Sequence, residues 1–351
     1  MPRFLHWTSP SARLGTFIAG HELENIVPKY KQFKPDHIND YPLKKRTSKI
    51  DTSHLGVPFR GGSFSDFISS LPQVLAAGDI RNLAQQIHQA RLLKKPIIWG
   101  LGGHVFKVGL TPILLELMRN GFITAIATNG SGLIHDFEIA FAGTTSEDVE
   151  SQLKEGAFGM AKETSEAINQ GIELGARNNI GIGEALGHFL ENYPLENPGL
   201  SLCGQAYTHD IPFTAHIAYG TDIIHSHPSS NGTATGHCAQ IDFGVFTEQV
   251  RHMHQGGVYL NVGSAVLLPE VFLKSIALVR NSGYALSDFT TANLDFIQHY
   301  RPTQNVIRRP ISGGGTGIAI TGHHEIVVPL LAAILLDPSL SPHPPNENKS
   351  T

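Results

Sequence analysis

Glycine and small polar residues gather where five short apolar strands are predicted to end. Gly100-Leu101-Gly102-Gly103-His104 follows a strand over Pro96–Trp99, and Thr128-Asn129-Gly130-Ser131-Gly132 follows Phe122–Ala127. Tyr219-Gly220-Thr221-Asp222 follows Ile211–Ala218, Asn261-Val262-Gly263-Ser264 closes Gly257–Val262, and Thr291-Ala292-Asn293 follows Tyr284–Thr290. Glycine lets a backbone approach a ligand closely, and the N–H groups at a helix start suit phosphate. One such turn need only permit a tight strand-to-helix connection. Five at one sheet edge point to a nucleotide-type ligand. No turn carries a clean GxGxxG, and there is no Walker lysine motif.

Nineteen histidines supply a second set of candidates. His225-Ser226-His227 is expected at a strand end, where side chains two apart share a face and would offer two metal ligands. A metal site needs three or four convergent ligands, so no metal is expected, and His225 and His227 are the pair one would use. His323-His324-Glu325 opens a helix, which turns one histidine toward the glycine cleft. Among His135, His225 and His323, one acid–base group is expected, because imidazole titrates near neutral pH. Asp136, beside His135 at a helix start, reads equally as a cap or a ligand contact. Glu138 and Glu147 read as ordinary exposed helix charges. Asn305–Gly317, with two arginines and a glycine run, reads as a mobile loop or a lid over phosphate.

The elements that must position these groups alternate. Leu75–Leu93 is helical by its apolar spacing, and Thr111–Arg119 is a helix with proline at an early position, where the missing N–H does no harm. Thr144-x-x-Glu147 has the form of a capping box, and a helical block runs on to about Asn192. Ile241–His254, Leu267–Arg280 and Glu325–Leu336 complete the helices. Short apolar strands separated by helices predict an α/β fold, a Rossmann-like parallel sheet covered on both faces. Residues 1–60, polar and proline-bearing, form an N-terminal arm. Residues 61–336 form one α/β domain, and 337–351 have the composition of a disordered tail.

Bulk properties narrow the function. With 351 residues, 41% hydrophobic, a core is assured, while a net charge of −4 gives no footprint for nucleic acid. Two cysteines cannot build a disulfide framework and suit a reducing cytoplasm. The longest apolar run, Ile326–Leu336, is too short to span a bilayer, and the N-terminus has no continuous apolar stretch of the signal-peptide kind.

The segment Gly121–Val149, a strand, a Thr/Gly-rich turn and a helix start, resembles the deoxyhypusine synthase family. His104-Val-Phe-Lys-Val-Gly109, Ile211-Pro212-Phe213 with Gly220 beyond it, Gly257–Gly263, Thr291-Ala292 and Val328-Pro329-Leu330-Leu331 match further motifs in order, over about residues 60–335. The resemblance implies a Rossmann-like fold, bound NAD and a homo-oligomer, a dimer or the family's tetramer. It implies cofactor contacts at His104, Asn129, Gly130, Ser131, Gly220, Gly263, Thr291 and Ala292. The family forms an imine on a lysine of the last strand. Here that strand is Gly317–Gly322, Ala319 stands at the lysine position, and no lysine occurs between Lys274 and Lys349. An imine needs an amine. Lys107 and Lys274 are the relocated candidates.

The expected function is therefore that of a deoxyhypusine synthase-like, NAD-binding protein with a remodelled site, oxidising or transferring a group on a small substrate. His135, Asp136, His225 and His323 are its candidate acid–base residues. The alternatives are a metal-assisted hydrolase or lyase using His225 and His227, and a non-catalytic sensor or scaffold on the same fold.

Overall fold

The structure, a computed structural model, describes residues 27–341. The chain divides into two units, Met1–Lys49 and Ile50–Thr351. The described part of the first is irregular apart from a 3-10 turn at Leu43–Lys45. In the second, residues 54–57 hydrogen-bond to the end of the first helix and the turn after it, Val57 N to Ser70 O at 2.9 Å and Gln73 N to His54 O at 3.0 Å. Residues 1–26 of the arm expected at 1–60, and residues 342–351 of the tail expected at 337–351, lie outside the described residues.

The larger unit runs α1 (Phe64–Ser70), α2 (Leu75–Leu92), β1 (Ile97–Leu101), α3 (Gly103–Lys107), α4 (Thr111–Arg119), β2 (Ala125–Asn129), α5 (Gly130–Ala142), α6 (Val149–Glu155), α7 (Lys162–Asn178), α8 (Ile182–Glu191) and α9 (Leu202–Thr208). Then come β3 (Phe213–His216), α10 (Gly232–Arg251), β4 (Val258–Val262), α11 (Leu267–Asn281), β5 (Phe289–Asp295), α12 (Tyr300–Pro302), β6 (Gly315–Thr321) and α13 (His324–Leu336). The six strands form one parallel sheet in the order β3-β2-β1-β4-β5-β6. The Rossmann-like α/β expectation holds.

Parallel strands buried on both faces need apolar side chains on both, and the central strands have them. Ile97, Trp99 and Leu101 of β1 join the core beneath α2, α4 and α13. Ile98, with Ala125 and Ala127 of β2, faces the cluster formed with Phe246 of α10 and Phe272 of α11. Gly100, where a Cβ would overlap the Tyr259 hydroxyl, admits a flat stack of Tyr259 on Phe272, with ring centroids 3.8 Å apart. Trp99 is fully buried, and its indole N–H donates to the Phe122 carbonyl at 3.1 Å. Each large side chain sealed this way is worth about 1.5–3 kcal/mol.

Several sequence expectations move. β2 starts three residues later than predicted, and α5 follows it with no intervening turn. The Asn129 side chain caps that helix, accepting from Gly132 N at 3.1 Å. Thr144-x-x-Glu147 starts no helix; α6 begins at Val149, and the Glu147 carboxylate accepts from Gly159 N at 2.9 Å instead. α10 begins nine residues before the predicted Ile241. β5 lies five residues further along than Tyr284–Thr290. Residues Asn305–Gly317 are not a free loop: they run through a π-helical turn (Thr303–Arg308) and a 3-10 turn (Pro310–Gly313) into β6, with Asn305 and Val306 buried.

The central crossing sets the tightest constraint. A Cβ placed on Gly102, just past β1, would overlap the carbonyl oxygen of Gly263, just past β4. Because the obstacle is backbone, the two turns would have to part. Gly102→Ala should therefore lower stability by about 1–3 kcal/mol, read as a shift in urea midpoint; an unchanged midpoint would contradict so close a crossing.

Candidate functional site

In an open parallel sheet ligands lie beyond the carboxyl ends of the strands, where the strand order reverses. Here that point falls between β1 and β4, at the Gly102–Gly263 crossing. His104 leads out of it, exposed, with its ring 5.3 Å from that of His324 and 5.8 Å from Phe296. Phe296 in turn stacks on His323 with centroids 6.1 Å apart. His324 is sealed against Gly263. Its Nε2 reaches the Leu294 carbonyl at 3.2 Å and the Asp295 carboxylate at 3.7 Å, while Nδ1 has no partner. Burial lowers the His324 pKa, against the pull of Asp295 and the Leu294 carbonyl. Helices α3 and α13 start at this edge without a side-chain cap on the N-cap residue, so main-chain N–H groups there remain available; α11 also starts here but offers little, since Pro269 in its first turn has no N–H. Within α11, Leu268 N donates to the Ser264 hydroxyl at 3.3 Å.

A second compartment abuts the first. Gly103 packs so closely on Ser131 that a Cβ there would overlap the serine Oγ. Beyond it opens a cavity of about 210 Å³ lined by Lys107, Ser131, His135, Glu138, Glu147 and Asp222, among others. The start of α5 borders this cavity but is already filled. Asn129 takes the Gly132 N–H and the Ser131 hydroxyl, and the Asp222 carboxylate sits against Gly130, beside the Ser131 N–H. Burial raises the Asp222 pKa, offset in part by His225, Thr221 and Ser131. A helix N-terminus favours an anion, and the protein supplies its own.

Deeper on α5, His135 and Glu138 stand one turn apart. The Thr145 hydroxyl donates to the Glu138 carboxylate and lies 2.8 Å from His135 Nδ1, and Thr164 donates to the other carboxylate oxygen at 3.1 Å. Burial works to raise the Glu138 pKa, but the hydrogen bonds from His135, Thr145 and Thr164 outweigh it and hold the carboxyl below its usual range. Glu138 is only 14% exposed. The expectation that it and Glu147 are ordinary exposed helix charges is corrected: both line the cleft.

The predicted residues therefore separate. His104 and Gly263 meet at the switch point. Asn129, Gly130, Ser131 and His135 border the neighbouring cleft. Gly220 lies beyond β3 with φ +95°, its N–H donated to His225 Nδ1 at 3.1 Å. Thr291 and Ala292 are not in a turn; they are fully buried within β5, and the Thr291 hydroxyl donates to the Val306 carbonyl at 2.7 Å. The carboxyl end of β5 is instead Asp295, followed by Phe296.

Asp136 is a cap. Sealed at 2% exposure, it accepts from Ser201 Oγ at 2.8 Å, Leu202 N at 2.6 Å and Cys203 N at 3.1 Å, and so holds the start of α9. His225 sits in a 3-10 turn (Ile223–Ser226), not a strand, so it and His227 do not share a face as expected. Its Nδ1 accepts the main-chain N–H groups of Gly220 and Asp222, its ring stacks on Tyr219 at 4.4 Å, and its Nε2 is buried without a partner. His227 binds Ser229 Oγ at 2.8 Å. Among the described residues no three His, Cys, Asp or Glu side chains gather to hold a metal ion. His323 is 67% exposed, and the histidine turned inward is His324. Lys274 pairs with Glu270 on the outer face of α11. Ala319 is exposed on the edge strand β6.

No protein-family model matches the chain, and no curated protein matches it. Solved structures do. The chain is similar to a deoxyhypusine synthase. That protein, so assigned in Entamoeba histolytica, is 11% identical, with 79% of this chain and 95% of that one covered and a TM-score of 0.47. ArgZ, an arginine dihydrolase from the ornithine-ammonia cycle in cyanobacteria, is 17% identical over 75% of this chain, with a TM-score of 0.46. AgrE, solved with ornithine and NAD+, is 12% identical over 73% of this chain, also with a TM-score of 0.46. The chain spans only 33% and 32% of those two proteins. Among the described residues no helix is long and apolar enough to cross a membrane.

The buried Asp136 gives a pH test. Burial raises its pKa from 3.8 to about 6, over the opposing hydrogen bonds of Ser201, Leu202 and Cys203, and burial likewise lifts Asp242 to about 7. Between those values and the unfolded pKa the folded state binds the extra proton, so stability falls as pH rises. Melting temperature should decline from about pH 4 to pH 7 through these groups, and Asp136→Asn should flatten the part between pH 4 and 6. An undiminished slope in that variant would remove Asp136 as its source.

Proposed function

We propose that the chain binds NAD at the β1–β4 switch point and handles a small substrate in the adjoining cleft. The observation that carries this reading is the convergence of uncapped helix starts on the Gly102–Gly263 crossing. Main-chain N–H groups at the starts of α3 and α13, with His104 beside them, suit a pyrophosphate, and the backbones there are bare enough for close approach. The exposed faces of Phe296 and His323 offer ring surface to a base. The start of α5 does not fit a phosphate, because Asn129 caps it and the Asp222 carboxylate already sits against it. Asn129, Gly130 and Ser131 are accordingly read as the wall between cofactor and substrate, and Thr291 and Ala292 as sheet interior.

NAD, when bound, supplies a hydride acceptor. The chain's own part is to orient the substrate and move a proton. Lys107, Glu138, Glu147 and Asp222 give the cleft three carboxylates against one ammonium, which favours a small cationic substrate such as an amine. His135 is the acid–base group. Asp136, His225 and His323 act as a cap, a turn lock and a rim residue. The reaction class is oxidation or group transfer by a deoxyhypusine synthase-like enzyme. Deoxyhypusine synthesis itself is not proposed, since Ala319 offers no amine at the family's position and Lys274 is engaged by Glu270; Lys107 lines the cleft and is read as its exposed cation. Exposed Val266, Phe296, Ile297 and Tyr300 near this edge favour a homo-oligomer, a dimer or tetramer. Two free, buried cysteines, Cys203 and Cys238, favour the cytoplasm.

Isothermal titration with NAD tests the reading, and no heat of binding at millimolar cofactor would sink it. His104→Asp puts a negative charge where the pyrophosphate is expected. Affinity should fall at least about tenfold, roughly 1.4 kcal/mol, and an unchanged affinity would move the phosphates elsewhere.

A further inference from the structure

The cleft contains a hydrogen-bond line whose direction can be worked out. Gly143, at φ +70°, ends α5 in the left-handed conformation and turns the chain back, so that Thr145 lies over His135 and Glu138. Those two residues, three apart on a helix, share a face. Glu138 receives Thr145 on one oxygen and Thr164 on the other. An ionised carboxylate only accepts, and a hydroxyl has a single hydrogen. The Thr145 hydrogen therefore goes to Glu138. At the 2.8 Å contact with His135 the hydroxyl oxygen must accept, so His135 Nδ1 carries the proton. The other nitrogen, Nε2, has no partner among the described residues, and the ring lines the cleft at 13% exposure.

We propose that Glu138 and Thr145 are positioning residues that lock His135 in its Nδ1–H form, leaving Nε2 as the proton acceptor for a substrate bearing an N–H or O–H group. A substrate proton passes to Nε2, and the bonding pair stays on the substrate nitrogen or oxygen. The imidazolium that results keeps its Nδ1 hydrogen on Thr145, and the Glu138 charge behind it offsets the new positive charge. Glu138 remains ionised throughout. This logic parallels the buried carboxylate of a catalytic triad, with a hydroxyl inserted between acid and imidazole. Like-for-like replacement is then constrained at a position that touches no substrate: threonine or serine serves at 145, and valine does not.

The inference rests on the proposed function only in taking this cleft as the reaction site; the tautomer does not depend on NAD. The test is nitrogen-15 NMR of the full chain with labelled histidine at neutral pH, assigned by loss of the signal in His135→Ala. The expected result is an Nδ1–H, Nε2-acceptor pattern for His135, kept in Thr145→Ser and lost in Thr145→Val. Thr145→Ala serves if the valine variant does not fold. Carbethoxylation mapped by mass spectrometry reads Nε2 directly: His135 should react in the wild type, and severalfold more slowly in Thr145→Val. An Nε2–H pattern in the wild type, a Thr145→Val spectrum identical to it, or an unreactive His135 would each overturn the proposal. NAD titration of Thr145→Val keeps the two readings apart. Binding retained there with the tautomer changed separates the relay from the cofactor site. Binding absent in every form, wild type included, removes the cofactor reading and leaves the tautomer result standing.

Discussion

Everything at the carboxyl edge depends on two backbones touching. β1 and β4 pair in parallel, Gly100 beside Asn261, and their turns leave the sheet side by side. Gly102 and Gly263 then pass with no room for a side chain on the first. That contact decides where α3 starts, and through the close fit of Gly103 on Ser131 it decides where α5 starts. His324 packs on the far side of Gly263, so the start of α13 is tied to the same point. One crossing of main chain thus sets the spacing between three helix starts and the cleft beside them. Side chains decorate that arrangement and do not create it.

Much of this was legible. The apolar spacing of Thr111–Arg119 and the proline near its start give the bounds of α4 without error, because local signals there agree. The failures are instructive where polar residues are buried. Thr291-Ala292-Asn293 reads as a turn after a strand over Tyr284–Thr290, yet it lies inside Phe289–Asp295, a strand buried on both faces. Its polar groups are answered by partners outside the strand, most of them far away in sequence. Asn261 donates to Asn293 at 2.7 Å, Asn293 to Gln298 at 2.7 Å, and Gln298 to the Ile320 carbonyl at 3.2 Å. A buried amide is tolerable only when so paired, and no local pattern reveals the pairing. The same blindness made a capping box of Thr144-x-x-Glu147, whose glutamate serves Gly159.

The candidate site was half legible for a related reason. Glycine turns announce an edge, so His104, Gly263 and the Asn129–Ser131 stretch could be found. What a sequence cannot supply is the return of residues 143–148 over that face, which brings in Thr145 and turns Glu138 from a surface charge into a cleft residue. Nor could it show that Asp136 spends its carboxylate on the start of α9, or that the inward histidine is His324 and not its neighbour.

The filling of the α5 start by Asp222 has a consequence for how this chain can vary. Gly130 leaves room for that carboxylate, and a Cβ at 130 would overlap it. The two positions lie beyond different strands and are far apart in sequence, yet neither is free to change alone. A larger residue at 130 displaces the carboxylate and exposes Ser131's N–H; a neutral residue at 222 leaves that N–H at a positive helix end with no anion to meet it. In a library of variants they would behave as a single locus with two spellings. One is glycine with aspartate, and the other is a side chain at 130 with the charge at 222 given up. Choosing between them chooses whether the cleft brings its own anion or must take one from its ligand.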